Sequence, residues 1–107
     1  MRRGDLVTIA LQGAYGKPRP ALVIQSDLFP DHASVTILPI TGDIVEAPLF
    51  RIAVEPTPDN GLTEVSQIMV DKSVTVPREK AGEPYGRIDD ATMVAVNRAL
   101  ALFLGFA

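Results

Sequence analysis

Nine prolines are spread through the first four-fifths of this 107-residue chain, and none follows Pro84. Proline lacks an amide hydrogen and clashes with the preceding helical turn, so a proline about every ten residues leaves little room for long helices. Short segments between turn signals are typical of an all-β domain. The sequence therefore predicts a mainly β structure as far as Pro84, with any long helix after it.

Five segments are predicted to be strands: residues 4–11, 20–25, 35–40, 49–54 and 68–76. Several of them are nearly continuous apolar runs and not clean alternations, which indicates burial on both faces or a tightly curled barrel. Between them, residues 26–30 are long enough for one helical turn with Ser26 as its N-cap. Residues 56–61 are dense in turn formers, and the Asn60-Gly61 pair can adopt positive φ at low cost.

The segment after the last proline has a helical pattern. Asp89 and Asp90 suit the N-terminus of a helix that runs to about Leu104, and Gly105 can end it. One apolar stripe recurs at three- and four-residue steps, formed by Met93, Val96, Leu100 and Phe103.

Other large apolar side chains of this helix lie off the stripe, namely Val94, Leu102 and Phe106. A helix that is apolar on more than one side is expected to pack on its own barrel and also on something else. A second copy of the chain is the simplest candidate, so we expect a homodimer.

Length and composition exclude several classes of protein. A chain of 107 residues with 47% hydrophobic and 21% charged residues is expected to form a single globular domain over residues 1–107. The absence of cysteine excludes disulfides, thiolate zinc sites and cysteine nucleophiles. The longest apolar run has nine residues, too short to cross a bilayer, and no convincing signal peptide opens the chain. We therefore expect a soluble cytoplasmic protein.

Arg19 is the first candidate for chemistry. In the string KPRPALVIQSD at residues 17–27 it stands between two prolines, where a glycine-rich loop enters a strand. A guanidinium held there could bind a phosphate through two parallel hydrogen bonds. A solvated or carboxylate-paired surface arginine explains the residue too, and composition alone favours that interpretation.

Each of two further strings, taken alone, allows a functional and a purely structural interpretation. VTILPITGD at residues 35–43 ends a strand at Thr41, whose hydroxyl can reach a phosphate oxygen or a nearby backbone group. In MVDKSVT at residues 69–75, Asp71 and Lys72 interrupt an apolar strand, and an exposed pair explains them about as well as a site does. The single histidine, His32, is interpreted as a surface loop residue.

Taken in order, these strings resemble the MazF/PemK (Kid) family of toxin endoribonucleases from bacterial toxin–antitoxin modules. The resemblance runs from RGDLV at residues 3–7 through RPALVIQSD at 19–27, ILPITG at 37–42 and VDKSVTV at 70–76 to GRIDD at 86–90. It implies a small SH3-like barrel with a C-terminal helix, usually a homodimer. It also implies an enzyme that cuts single-stranded RNA at short sequence motifs, with no metal and no other cofactor.

The resemblance also implies catalytic residues. The family's loop-edge arginine falls on Arg19 and its strand-end hydroxyl on Thr41, while Asp71 matches an aspartate that serves some members as a candidate base. RNA cleavage of this kind needs a group that takes the 2′-hydroxyl proton and cationic support for the phosphorane. Arg19 suits the support, Thr41 suits positioning, and Asp71 could act as base if it lies within reach.

Substrate-binding residues are implied less directly. Lys72 stands where relatives often have glutamine, which would alter sequence preference. The first loop, GAYGK, offers only Tyr15 and Lys17, of which Tyr15 could stack on a base. The implied partners are single-stranded RNA and an antitoxin whose disordered segment covers the RNA site.

Two other functions remain open at this point. CcdB-type gyrase poisons share the barrel but rely on a tryptophan near the chain end, and this chain has no tryptophan. A non-catalytic RNA- or peptide-binding barrel is the other alternative, because a fold alone does not determine function. The nuclease interpretation requires Arg19 and Thr41 to meet on one concave surface.

Overall fold

The computed structural model describes residues 1–10 and 17–106. This part of the chain contains the strands β1 (Asp5–Ala10), β2 (Pro18–Val23), β3 (Ser34–Thr41), β4 (Arg51–Val54), β5 (Ser66–Met69), β6 (Val74–Pro77) and β7 (Gly86–Arg87). A short 3₁₀ helix, Val70–Lys72, separates β5 from β6, and a second one, Arg78–Lys80, follows β6. The helix α1 (Asp90–Leu104) comes last.

The strands form one curled antiparallel sheet in the order β4-β5-β3-β2-β1-β7, and β6 also pairs with β3. The predicted mainly β architecture with a C-terminal helix is therefore confirmed. Within the described residues, no helix has the length and apolar character needed to span a membrane.

The central strands are buried on both faces, as their apolar runs predicted. Side chains alternate along a strand, so neighbours in β1 enter different clusters: Leu6 joins the core beside α1, whereas Val7 joins a smaller cluster on the other face. The smaller cluster consists of Val7, Ile9, Ala21, Val23, Val35, Ile37 and Val76. Residues further along this second face form the candidate site.

The prediction of one continuous strand over residues 68–76 is wrong. Between the pairs Ile40↔Ile68 and Ile37↔Val74, β3 advances three residues while the facing chain advances six. The three extra residues, Val70–Lys72, form the 3₁₀ helix, which carries Asp71 and Lys72 out of the ladder. An apolar run with one charged pair fits an unbroken strand equally well, so the local pattern did not reveal this change of register.

Other differences concern short elements. Residues 26–30 do not form the predicted helical turn. They form a non-helical turn, in which Ser26 Oγ accepts a hydrogen bond from the Leu28 amide at 3.1 Å. The two-residue strand β7 was not predicted; it pairs with β1 beside an ion pair between Arg87 and Asp5 of 2.7 Å.

The predicted terminal helix is confirmed at both ends. The Asp89 side chain accepts a hydrogen bond from the Thr92 amide, and Gly105 ends the helix at φ 85°. Val96 is fully buried, whereas Phe106 is 81% exposed. The remaining exposed apolar side chains of this region are Val94, Leu102, Phe103 and Leu104.

Candidate functional site

Arg19 and Thr41 approach each other because of the register between β2 and β3. The pairs Val23↔Ile37, Leu22↔Leu38 and Ala21↔Pro39 define an antiparallel ladder. If this register is continued two residues beyond the pair Ala21↔Pro39, Arg19 lies opposite Thr41. Opposed residues of an antiparallel pair direct their side chains to the same face of the sheet.

Both side chains line one cavity of about 340 Å³ at this end of the sheet. Four of its described lining residues carry polar side chains, namely Arg19, Thr41, Asp43 and Lys72, and the others are Pro39, Ile40, Met69 and Val74. The cavity thus has an apolar floor with two cations, one hydroxyl and one carboxylate. This combination suits a ligand that joins a phosphate to an apolar or aromatic group.

The Thr41 hydroxyl already makes one hydrogen bond. Its oxygen accepts from the amide of Asp43 at 3.0 Å, across the turn at Gly42. A hydroxyl has one proton to donate besides its acceptor lone pairs. This bond therefore orients the oxygen and leaves its proton able to reach a ligand in the cavity.

The guanidinium of Arg19 is exposed at the cavity wall, and the flanking Pro18 and Pro20 restrict its backbone. Within residues 1–10 and 17–106, the ion pairs are Arg51–Asp71, Lys72–Asp71 and Arg87–Asp5. None of these pairs involves Arg19, which lines the cavity. The net charge of the chain is −3, whereas the described lining of the cavity carries two cations, Arg19 and Lys72, and one carboxylate, Asp43.

Asp71 is oriented differently from the other predicted site residues. It is absent from the described lining of the cavity, and its side chain is only 17% exposed. One carboxylate oxygen faces Arg51 Nε at 3.3 Å and the other faces Lys72 Nζ at 3.7 Å. The structure thus brings Arg19, Thr41 and Lys72 together, and connects Asp71 to the cavity through Lys72.

The sequence analysis also named Tyr15, Lys17 and His32. Tyr15 lies outside the described residues. Lys17 is an exposed residue just before β2 and is not among the described residues that line the cavity. His32 is an exposed loop residue, as predicted, and its Nδ1 accepts a hydrogen bond from the Ser34 amide at 3.1 Å.

Sequence reasoning did not identify Asp43 as a site residue. The available signal was a carboxylate two residues after Thr41, across a glycine that permits a tight turn. Gln67 fixes the loop that carries Asp43: its buried side chain accepts from the Val45 amide at 3.1 Å and donates to the Val45 carbonyl at 2.9 Å. This long-range contact has no local signature in the sequence.

Metal ligands are not grouped in the described part of the chain. Residues 1–10 and 17–106 contain no cluster of three or more His, Cys, Asp or Glu side chains that could hold a metal ion.

Comparisons with known proteins give a consistent result. Residues 2–104 match the sequence model of the PemK-like, MazF-like toxin of type II toxin–antitoxin systems. The chain is 53% identical to the protein named "Probable endoribonuclease MazF" from Mycolicibacterium smegmatis, over 100% of this chain and 99% of that protein.

Solved structures with the same fold include a mycobacterial endoribonuclease in complex with its cognate antitoxin, with a TM-score of 0.84 and 25% identity over 100% of this chain and 97% of that one. The Mycobacterium tuberculosis toxin MazF-mt6 gives a TM-score of 0.81 at 22% identity, over 94% and 96% of the two chains. A MazE-MazF structure from Deinococcus radiodurans gives 0.78 at 22% identity, over 98% and 95%.

Proposed function

This chain belongs to the PemK-like, MazF-like toxins of type II toxin–antitoxin systems, and from that membership we propose that it is an endoribonuclease that cuts single-stranded RNA and so inhibits translation and growth. The observation that carries the proposal is the shared cavity of Arg19, Thr41 and Lys72. Two cations and a hydroxyl at one place match the charge of an RNA phosphate.

The proposed reaction begins with attack of a ribose 2′-hydroxyl on the adjacent phosphorus, in line with the departing 5′-oxygen. Negative charge then accumulates on the non-bridging oxygens of the phosphorane. Arg19 supports this charge through its guanidinium, which stays protonated throughout. Thr41 donates its remaining proton to one of the same oxygens and so holds the phosphate in place.

Lys72 and the first loop bind the substrate. The Lys72 ammonium attracts the phosphate or one beside it, and Asp71 holds that ammonium in position from outside the cavity. The resemblance offers Asp71 as general base, but its carboxylate is engaged by both Arg51 and Lys72. We therefore assign Asp71 a positioning role. Tyr15 and Lys17 extend RNA binding toward neighbouring nucleotides.

The proposal includes partners. An antitoxin segment with acidic side chains would compete with RNA for Arg19 and Lys72, which fits the antitoxin complex formed by a structural relative. The exposed apolar side chains of α1 support a homodimer, since such a surface is seldom left uncovered. We place the activity in the cytoplasm, where messenger RNA is found.

The test is incubation of the purified chain with a long single-stranded RNA in the presence of a chelator. We expect discrete fragments that end in a 2′,3′-cyclic phosphate, since the 2′-oxygen is the nucleophile. A substrate with a 2′-deoxy sugar at the mapped position is the control and should remain intact. Uncut RNA, together with trapped gyrase–DNA complexes in a separate assay that supplies gyrase and DNA without chelator, would contradict the proposal in favour of a gyrase poison. Binding of RNA without cutting would favour a non-catalytic barrel.

A further inference from the structure

We propose that Asp43 is the general base of this reaction, an assignment that rests on the proposed RNA cleavage. The proton of the 2′-hydroxyl needs an acceptor near the phosphate. Arg19 and Lys72 are cations at neutral pH, and the Thr41 hydroxyl is a poor base. Among the described residues that line the cavity, Asp43 is the carboxylate.

The position of Asp43 is fixed relative to the phosphate-binding groups. Its own amide donates to Thr41 Oγ1 at 3.0 Å, so the two residues keep a constant separation. Gln67 anchors the same loop two residues further on, through both hydrogen bonds to Val45. A phosphate oxygen that accepts from Thr41 would thus be bound in the cavity that Asp43 also lines, and the proposal places the ribose 2′-hydroxyl within reach of the Asp43 carboxylate.

The other charged groups near Asp43 suit this role. Arg19 of β2 and Lys72 of the 3₁₀ helix line the same cavity as Asp43 and can hold a phosphate beside it. The Glu64 carboxylate lies against Gly42, where it would collide with a Cβ. Glu64 and Asp71 are the neighbouring carboxylates, and neither is part of the described cavity lining.

The proposed step moves one proton and exchanges one bond at phosphorus. Asp43 takes the proton from the 2′-hydroxyl as the bond between the 2′-oxygen and phosphorus forms. The bond between phosphorus and the 5′-oxygen breaks, and the leaving oxygen takes a proton from water. The protonated, exposed Asp43 then returns its proton to solvent. The products are a 2′,3′-cyclic phosphate and a 5′-hydroxyl, with no oxidant or reductant involved.

The test compares three isosteric variants, Asp43→Asn, Asp71→Asn and Glu64→Gln, in single-turnover cleavage over a range of pH. Loss of a general base is expected to slow Asp43→Asn by about 10²–10⁴-fold. A general base acts only when it is deprotonated, so the wild-type rate should fall in acid, and Asp43→Asn should lack this dependence. Asp71→Asn and Glu64→Gln should retain it.

Binding separates this role from a structural one. Affinity for an uncleavable RNA with a 2′-deoxy sugar at the cleaved position should be unchanged or tighter in Asp43→Asn, because a negative charge is removed near the phosphate. Asp43→Glu should recover part of the rate. If wild type cuts RNA and Asp43→Asn cuts equally fast with the same pH dependence, the assignment of Asp43 is overturned. If wild type does not cut at all, the proposed function itself fails.

Discussion

Arg19 and Thr41 line the same cavity although they come from different strands, one from the start of β2 and the other from the end of β3. The ladder between these strands brings the two side chains to one face of the sheet. Lys72 reaches the cavity only because the facing chain leaves the ladder in a 3₁₀ turn. The site therefore depends on two pairings. One is the register of β2 with β3, and the other is the pairing of β3 with β5 and β6, which the 3₁₀ turn separates.

Replacing Thr41 with valine removes the hydroxyl and keeps the shape of the side chain. Hydrogen bonds to charged groups are worth about 1.5–3 kcal/mol, so we expect the cleavage rate to fall by about 10–100-fold. Thr41→Ser, which keeps the donor, is the matched control and should stay within a few-fold of wild type. Single-turnover kinetics measures both, and equal rates for Thr41→Val and wild type would remove the hydroxyl from the mechanism.

The half-buried pair of Arg51 and Asp71 is predicted to contribute to stability. Arg51→Met leaves the Asp71 carboxylate without its partner at 3.3 Å, which should lower the free energy of unfolding by about 1–3 kcal/mol. The double variant Arg51→Met/Asp71→Asn should recover part of this loss, because the largely buried carboxylate charge is removed with its partner. Urea denaturation measures the free energy of unfolding of wild type, the two single variants and the double variant. Strictly additive effects in this double-mutant cycle would show that the two side chains are not coupled.

Asp71→Asn alone should act on substrate binding. The substitution removes the ion pair between Asp71 and the Lys72 ammonium, whose nitrogen lies 3.7 Å from the carboxylate. We expect KM for RNA to rise several-fold and kcat to change little, since a loss of uniform binding raises KM. Steady-state kinetics separates the two constants, and a large fall in kcat at constant KM would instead restore Asp71 as the base.

The N-cap of α1 gives a prediction about pH. Hydrogen bonds from the Thr92 side chain and amide lower the pKa of Asp89 below the ordinary aspartate value of 3.8. Because the folded pKa lies below the unfolded one, this contribution to stability is complete above about pH 4–5 and is lost as the pH falls through the folded pKa. Thermal melts should show Asp89→Asn less stable than wild type at pH 7, with the difference shrinking below pH 3.8.

Asp90→Asn is the control for that experiment, because Asp90 lies in the first turn of α1 without being its N-cap. It should change the melting temperature less than Asp89→Asn does at pH 7. A difference between wild type and Asp89→Asn that persists unchanged to pH 2 would contradict the capping account.

The apolar face of α1 predicts association. Leu102 is half exposed beside Phe103 and Phe106, and an aspartate at residue 102 would bring a charge into any interface formed there. We expect wild type to sediment as a dimer of the 11.5-kDa chain and Leu102→Asp to sediment as a monomer. Ala91→Asp, at an exposed position near the helix start, should remain dimeric; a dimeric Leu102→Asp would remove this face from the interface.

Local patterns were sufficient to predict much of the fold. The apolar runs predicted the central strands because those strands are buried on both faces, and Asp89 with Gly105 predicted the two ends of α1 because capping depends on residues close in sequence. The site was predicted less completely. The turn that presents Lys72 depends on pairing with β3, and the place of Asp43 depends on Gln67, which lies 24 residues later in the chain.

The rate of metal-free RNA cleavage by Arg19→Ala tests the central claim most directly. Loss of phosphorane support worth about 2.7–4 kcal/mol should reduce the single-turnover rate by about 10²–10³-fold, with an unchanged melting temperature because the side chain is exposed. Lys80→Ala, which removes an exposed cation elsewhere, should cut RNA at the wild-type rate. A folded Arg19→Ala protein that cleaves as fast as wild type would contradict the assignment of this cavity as the catalytic site.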